Sequence, residues 1–246
     1  MNTSNPGTRT RPPSINVDGI LLVDKPQDWT SHDVVNCIRG RFRLGKVGHC
    51  GTLDPLATGL LVVVLGRATK LAEQFSGADK TYAATLRIGT ETDSQDSTGK
   101  VIAEHDWSMV TPESVRTVFS TFLGPQLQMP PMVSAIKRDG QPLYKLARQG
   151  REVEREARPI VIQSIEITRL ELPDVDFIVT SSKGTYVRTL CSDIGAKLGC
   201  GGLMSALRRV RSGQFSLADG VVTMEQVKSW TLDELMPHIR PCPSQD

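Results

Sequence analysis

A chain of 246 residues with 39% hydrophobic and 23% charged residues has the composition of an ordinary globular protein and is long enough to bury a sizeable core. It holds no apolar run long enough for a membrane-spanning helix, and the opening MNTSNPGTRTRPPS lacks the apolar stretch of a secretory signal. A net charge of +2 does not announce a nucleic-acid binder, and the five scattered cysteines, with no CxxC pair, fit reduced thiols in cytoplasm better than a disulfide framework or a zinc site.

Residues 1 to 16 read as a disordered basic tail. A strand follows at Ile20–Val23, then the turn KPQDWTS, where Thr30 or Ser31 can cap a helix with Val34, Val35 and Ile38 at helical spacing. GHCGTLDPLATG, punctuated by Gly and Pro, reads as an ordered loop, and the continuous apolar run LLVVVLG after it as a strand buried on both faces. RATKLAEQFSG predicts a short helix ending at Gly77, and KTYAATLRIG a strand. Thr111-Pro112-Glu113 opens a helix expected to close at Gly124. Residues 125 to 158 look irregular and basic, with one short helical piece near Leu143–Arg148. Strands at Ile160–Glu171 and Val175–Ser182, a helix in TYVRTLCSDIGAKLG, a strand in LMSALRRVRSG and helix in TMEQVKSWTLDEL complete the chain. Such irregular alternation predicts an α+β fold, a mixed sheet with helices packed on it, rather than a doubly wound parallel sheet.

Basic residues gather in three stretches: Arg39, Arg41, Arg43 and Lys46; seven between Lys137 and Arg158 against four acids; and Arg208, Arg209 and Arg211. Any one of these is ordinarily a solvated face. Three of them beside glycine-bearing loops tilt the reading toward phosphate contacts. The segment from Gly40 to Val47 nearly matches a phosphate-cradling loop, but Val47 stands where a magnesium-binding hydroxyl is needed, and the segment follows a helix instead of a strand. His32, His49, His105 and His238 have neither metal-ligand spacing nor an evident nucleophile partner, so no metal site is expected.

The strongest chemical signal is His49-Cys-Gly-Thr-Leu-Asp54-Pro-Leu-Ala-Thr-Gly59-Leu-Leu. Asp before Pro usually just starts a turn. Here the carboxylate stands on a loop leading straight into a very apolar strand, where it loses water unless a cation or donors answer it, and acids kept so are candidates for function.

These residues resemble the catalytic loop of pseudouridine synthases, in particular the bacterial tRNA pseudouridine synthase B (TruB) family. GILLVDKPQDWTS is similar to that family's N-terminal signature, GRATKL to the segment after the loop, and KTYAATLRIGTETDSQDSTG to the strand bearing its active-site tyrosine. QMPPMVSAIKRDGQPLYKLARQGREVEREAR resembles its RNA-gripping insertion, and SKGTYVRTLCSDIGAKLGCGG with ALRRVRSG its catalytic-arginine motif and pocket end. Asp28 stands where relatives usually carry Gly, and Asp tolerates a left-handed backbone better than most residues. Relatives often continue into a C-terminal PUA-type RNA-binding domain, for which the sequence to Asp246 is too short.

The resemblance implies a pseudouridine synthase fold, a mixed, mainly antiparallel sheet flanked by helices, over residues 17–222. Residues 125–158 would be the insertion and 223–246 a short helical extension. It implies isomerisation of a uridine in the T-loop of tRNA, position 55, with no cofactor. Asp54, Tyr82 and Arg188 would be catalytic. His49, Tyr82, Tyr186 and Leu207 would bind the target base, and Lys137, Arg148 and Arg151 the RNA. Without the resemblance Arg188 reads as a surface helix arginine, Tyr82, Tyr186 and Leu207 as packing, and His49 as an unremarkable loop residue. Whether Asp54 attacks C1′ or C6, or first acts as a base, stays open. The expected partner is the T-arm of tRNA, met by a cytoplasmic monomer with no membrane and no guide RNA. Two rivals are weighed: a guide-dependent synthase, which relies on a PUA domain, and a tRNA-folding chaperone without turnover, for which Asp54, Tyr82 and Arg188 together have no use.

Overall fold

A computed structural model describes residues 14–132 and 153–242, and the backbone of residues 137–138 and 141–142. In chain order the strands and helices are β1 (Gly19–Lys25), α1 (Ser31–Arg41), β2 (Val47–Cys50), β3 (Thr58–Leu65), α2 (Ala72–Ser76), β4 (Lys80–Ile88), β5 (Thr90–Thr92), β6 (Val101–Glu104), α3 (Pro112–Ser120) and β7 (Gly124–Gln128). There follow β8 (Lys137–Arg138), β9 (Gln141–Pro142), β10 (Arg158–Glu171), β11 (Asp174–Ser181), α4 (Val187–Leu198), β12 (Gly202–Ser212), β13 (Phe215–Ser216), β14 (Val222–Thr223), α5 (Met224–Ser229) and α6 (Leu232–Leu235).

One 10-stranded sheet dominates, in the order β14-β1-β3-β12-β4-β11-β10-β7, with β2 on β3 and β13 on β12. Its ladders are antiparallel except where β14 meets β1 and β12 meets β3. The α+β expectation of a mixed, mainly antiparallel sheet is met. β3 is apolar on consecutive residues because both its faces are covered. Leu61, Val63 and Leu65 join Val34, Val35 and Ile38 of α1 on one side, while Leu60, Val62 and Val64 pack with Ala68 and Phe215 on the other. β4 alternates, placing Tyr82, Ala84 and Leu86 in a second core beneath α3 and α4. α1 starts with a capping box between Thr30 and Asp33, and α4 stops at Gly199, whose φ of +80° an L side chain rarely adopts.

Three boundaries differ from the sequence reading. His49 and Cys50, expected in a loop, belong to β2, because Val63 and Val62 of β3 offer them a ladder. α3 ends at Ser120 instead of running to Gly124, which begins β7 because β10 pairs with it. The first residues of the stretch expected to be irregular are therefore strand. The C-terminal helical segment breaks at Trp230 into α5 and α6, the second opened by its own Thr231–Glu234 capping box. The helical piece expected near Leu143–Arg148 lies outside the described residues. Among the described residues no helix is long and apolar enough to cross a membrane.

Candidate active site

Asp54 lies on the loop between β2 and β3, and Arg188 in the first turn of α4, 134 residues later. The fold brings them together: Arg188 Nη2 stands 3.2 Å from Asp54 Oδ2 and 3.5 Å from Oδ1. Its other terminal nitrogen, Nη1, lies 3.8 Å from Asp96 Oδ2, so the guanidinium is shared between two carboxylates. Asp96 is held for this purpose. Its Oδ1 accepts from Ser94 Oγ at 2.8 Å, Thr98 Oγ1 at 2.6 Å and the Thr98 amide at 3.0 Å, which leaves Oδ2 to the arginine.

Both groups open on a cavity of about 250 Å³, whose wall also includes Tyr82, Tyr186 and Leu207. Five of the residues expected at the site are thus assembled from β4, α4, β12 and the loop. The Asp54 side chain is 36% exposed, toward the cavity, against 4% for Arg188. Even so, the surrounding protein removes enough water to push the Asp54 pKa up from its ordinary value. The Arg188 charge opposes this, Asp96 adds to it, and Lys25 opposes it in turn. Tyr186 is the residue before α4, and the Arg188 guanidinium lies 5.8 Å from its ring centre.

His49 is not part of this wall. It sits in β2, half-buried, with Nδ1 enclosed and unpartnered, and burial followed by the Arg209 charge lowers its pKa. Arg148 and Arg151 lie outside the described residues, and of Lys137 only its place in β8 is described.

The loop carrying Asp54 is fixed by residues that the sequence reading did not single out for this. Lys25, fully buried at the end of β1, donates through Nζ to the carbonyls of Trp29 at 2.6 Å, Pro26 at 2.9 Å and Pro55 at 3.3 Å. Desolvation lowers its pKa to about 8, against the pull of Asp54. Ser31 Oγ accepts from the Leu53 amide at 2.9 Å and donates to the Leu53 carbonyl at 3.3 Å. Asp28 adopts φ of +65°, and its amide donates to Pro55 at 2.8 Å, so the turn survives without glycine. From the other side Arg209, 1% exposed, donates to Gly51 O at 3.0 Å and Leu60 O at 2.8 Å, closing both ends of the loop. Gly59 allows that approach, since a Cβ there would strike the Arg209 backbone.

Two of these residues left a trace in the sequence. In LMSALRRVRSG, period two puts Arg209 on the face of Leu207, and Asp96 is flanked by the hydroxyls of Ser94 and Thr98. The same geometry takes Arg209 out of the third basic stretch as a phosphate contact and gives its two neighbours partners within the chain. Arg208 pairs with Asp24 at 2.6 Å, Arg209 is interior, and Arg211 binds the Gly213 carbonyl at 2.8 Å. In the first stretch, Arg41 donates to the Lys228 and Ser229 carbonyls at the end of α5.

Comparison with known proteins identifies the family. Residues 39–187 match the N-terminal domain model of the TruB family of pseudouridylate synthases, and residues 188–244 match a tRNA pseudouridylate synthase B C-terminal domain model. The chain is 50% identical to tRNA pseudouridine synthase B of Geobacter sulfurreducens over 212 residues, 86% of this chain and 69% of the relative. It is 45% identical to that of Opitutus terrae over 229 residues, 93% of this chain and 95% of the relative. Among solved structures, a Cbf5–Nop10–Gar1 complex matches with a TM-score of 0.69 and 32% identity, over 89% of this chain and 57% of the matched one. With Asp54 and Arg188 paired on a pseudouridine synthase sheet, and the two family models together spanning residues 39–244, the chain belongs to the TruB family of pseudouridylate synthases, isomerases of uridine in tRNA.

Proposed function

We propose that the cavity converts the T-loop uridine at position 55 of tRNA into pseudouridine, with Asp54 as nucleophile or base. The observation that carries this is the Asp54–Arg188 pair, open to a cavity walled by two tyrosines and a leucine. Its volume of about 250 Å³ suits one extruded base. The reaction breaks the bond from ribose C1′ to uracil N1 and joins C1′ to C5. The C5 proton leaves and N1 gains one, so atoms and charge balance without an external reagent. Arg188 keeps Asp54 ionised where burial favours its protonated form. Tyr82 stacks on the uracil and serves proton transfer at C5, with Tyr186 and Leu207 bounding the base. Lys137, Arg148 and Arg151 hold phosphates, and His49 faces the RNA from outside the cavity. The enzyme acts as a monomer, without a guide RNA.

The test is to incubate the purified protein with an unmodified tRNA transcript, adding no other RNA, and to map pseudouridine by carbodiimide primer extension. A single new stop at position 55 is expected. Product elsewhere would move the specificity, product only on addition of a guide would favour the guide-dependent type, and none at any uridine would leave the chaperone reading.

A further inference from the structure

The insertion read as the RNA grip leaves the sheet at the end of β7 and returns to it at the start of β10, where Gln128 pairs with Arg158. Gln128 is therefore the last sheet residue before the insertion. Its side chain is spent elsewhere. With only 4% exposure it reaches the main chain of Tyr186: the Tyr186 amide donates to Gln128 Oε1 at 2.8 Å, and Gln128 Nε2 donates to the Tyr186 carbonyl at 3.1 Å. An amide side chain thus imitates one rung of a β-ladder against the residue before α4, which has no side-chain cap of its own. Just beyond, Arg155 Nη1 donates to the Pro130 carbonyl at 3.0 Å, tying the outgoing and returning segments together at the root of the insertion.

From these bonds we infer that Gln128 is a positioning residue that joins the root of the insertion to the cavity wall. Tyr186 lines the cavity, and Arg188, two residues on, holds Asp54. tRNA gripped by the insertion and the arginine set against the acid then share one short, buried connection. A buried side chain bonded through both polar groups has no slack, and reacting groups lose rate steeply when displaced by a fraction of an ångström. The inference rests on reading the cavity as the site of pseudouridine formation.

The test uses the full chain with Gln128→Met, which keeps length and removes both hydrogen bonds, and Gln128→Glu, which keeps the acceptor and loses the donor. Single-turnover pseudouridine formation at saturating tRNA should fall on the order of ten- to a hundredfold for Met and less for Glu. tRNA affinity should stay within about threefold, since phosphate contacts carry it. Rates are taken well below the melting temperature of each variant, so partial unfolding is not read as lost chemistry. Combining Gln128→Met with Arg188→Met should cost little more than Arg188→Met alone, because Gln128 bonds the main chain of Tyr186 and acts by placing the arginine two residues on. Multiplicative losses in the double variant, or a wild-type rate for Gln128→Met, would overturn the inference. If the unaltered protein makes no pseudouridine, the functional reading fails instead, so the two failures are distinguishable.

Discussion

The loop that bears Asp54 and the helix start that bears Arg188 face each other across one cavity but are secured by opposite chemistry. Behind the loop stand mainly donors: Lys25 on three carbonyls and Arg209 on the carbonyls of Gly51 and Leu60, while Ser31 donates to the Leu53 carbonyl and accepts from its amide. Behind the helix start stand the Asp96 carboxylate and the Gln128 amide. Of the cations that hold the loop's backbone, Lys25 also acts on Asp54, where it helps Arg188 to offset the loss of water around the carboxylate. The acid wall is thus held at many points, and the arginine wall is braced by two buried side chains, Asp96 and Gln128. Damage to the first should appear mainly as lost stability, and damage to the second mainly as lost rate.

The largest effect expected is from Asp54→Asn, which spares both walls and removes the proposed reacting group. Turnover should vanish while tRNA affinity stays within several-fold, measured by product mapping alongside a binding titration; product beyond contamination or deamidation would break the assignment. Next comes Arg188→Lys. Lysine keeps the charge, but a single ammonium cannot serve Asp54 and Asp96 at the angles of a planar fork, so most activity should go. A companion measurement fixes the sign of the electrostatics. In the proposed reaction Asp54 works ionised, so the rate should hold above its pKa and be lost as pH falls through it. Because burial raises that pKa and Arg188 opposes the rise, the acid limb of single-turnover rate should move toward neutrality in Arg188→Met. A limb that stays put would mean that Arg188 does not govern Asp54's ionisation.

Arg209→Met probes the other wall. Its hydrogen bonds to Gly51 and Leu60 disappear and buried carbonyls are left unpaired, so unfolding free energy should drop on the order of 3 kcal/mol, read by denaturant melts. The residual rate of the folded fraction should fall less than for Arg188→Lys; the reverse order would refute the division between the walls. The smallest effect on chemistry is expected from residues in neither wall. Replacing Arg148 and Arg151 with Ala should weaken tRNA binding and flatten its dependence on salt, leaving the saturated single-turnover rate nearly intact. An unchanged salt slope would make these arginines a solvated face.

Much of the fold was legible because its signals are local. The all-apolar run of β3 could only be a strand covered on both sides, and the Thr30 and Thr111 caps announced their helices. β2 was not legible, since His49 and Cys50 have strand conformation by virtue of Val63 and Val62 beside them. At the site, the glycine-bracketed loop identified Asp54, but Arg188 needed the family resemblance, because nothing within its own helix marks it off from a surface arginine. Asp96 left only its flanking hydroxyls as a trace and Gln128 left none, their partners lying 92 and 58 residues away in the chain.

The sequence by itself determined which groups exist and which way they alternate: a carboxylate on a short loop before a buried strand, hydroxyls around Asp96, and arginines at successive positions of β12. Tertiary structure alone decided what each arginine does. Arg208 and Arg209 are neighbours in one strand, yet the pleat sends one to Asp24 and the other into the interior against two carbonyls. Arg188 meets its carboxylates only because β12 and β4 bring α4 over the loop. A charge acquires its role from the partners within a few ångströms, and that distance is set by folding.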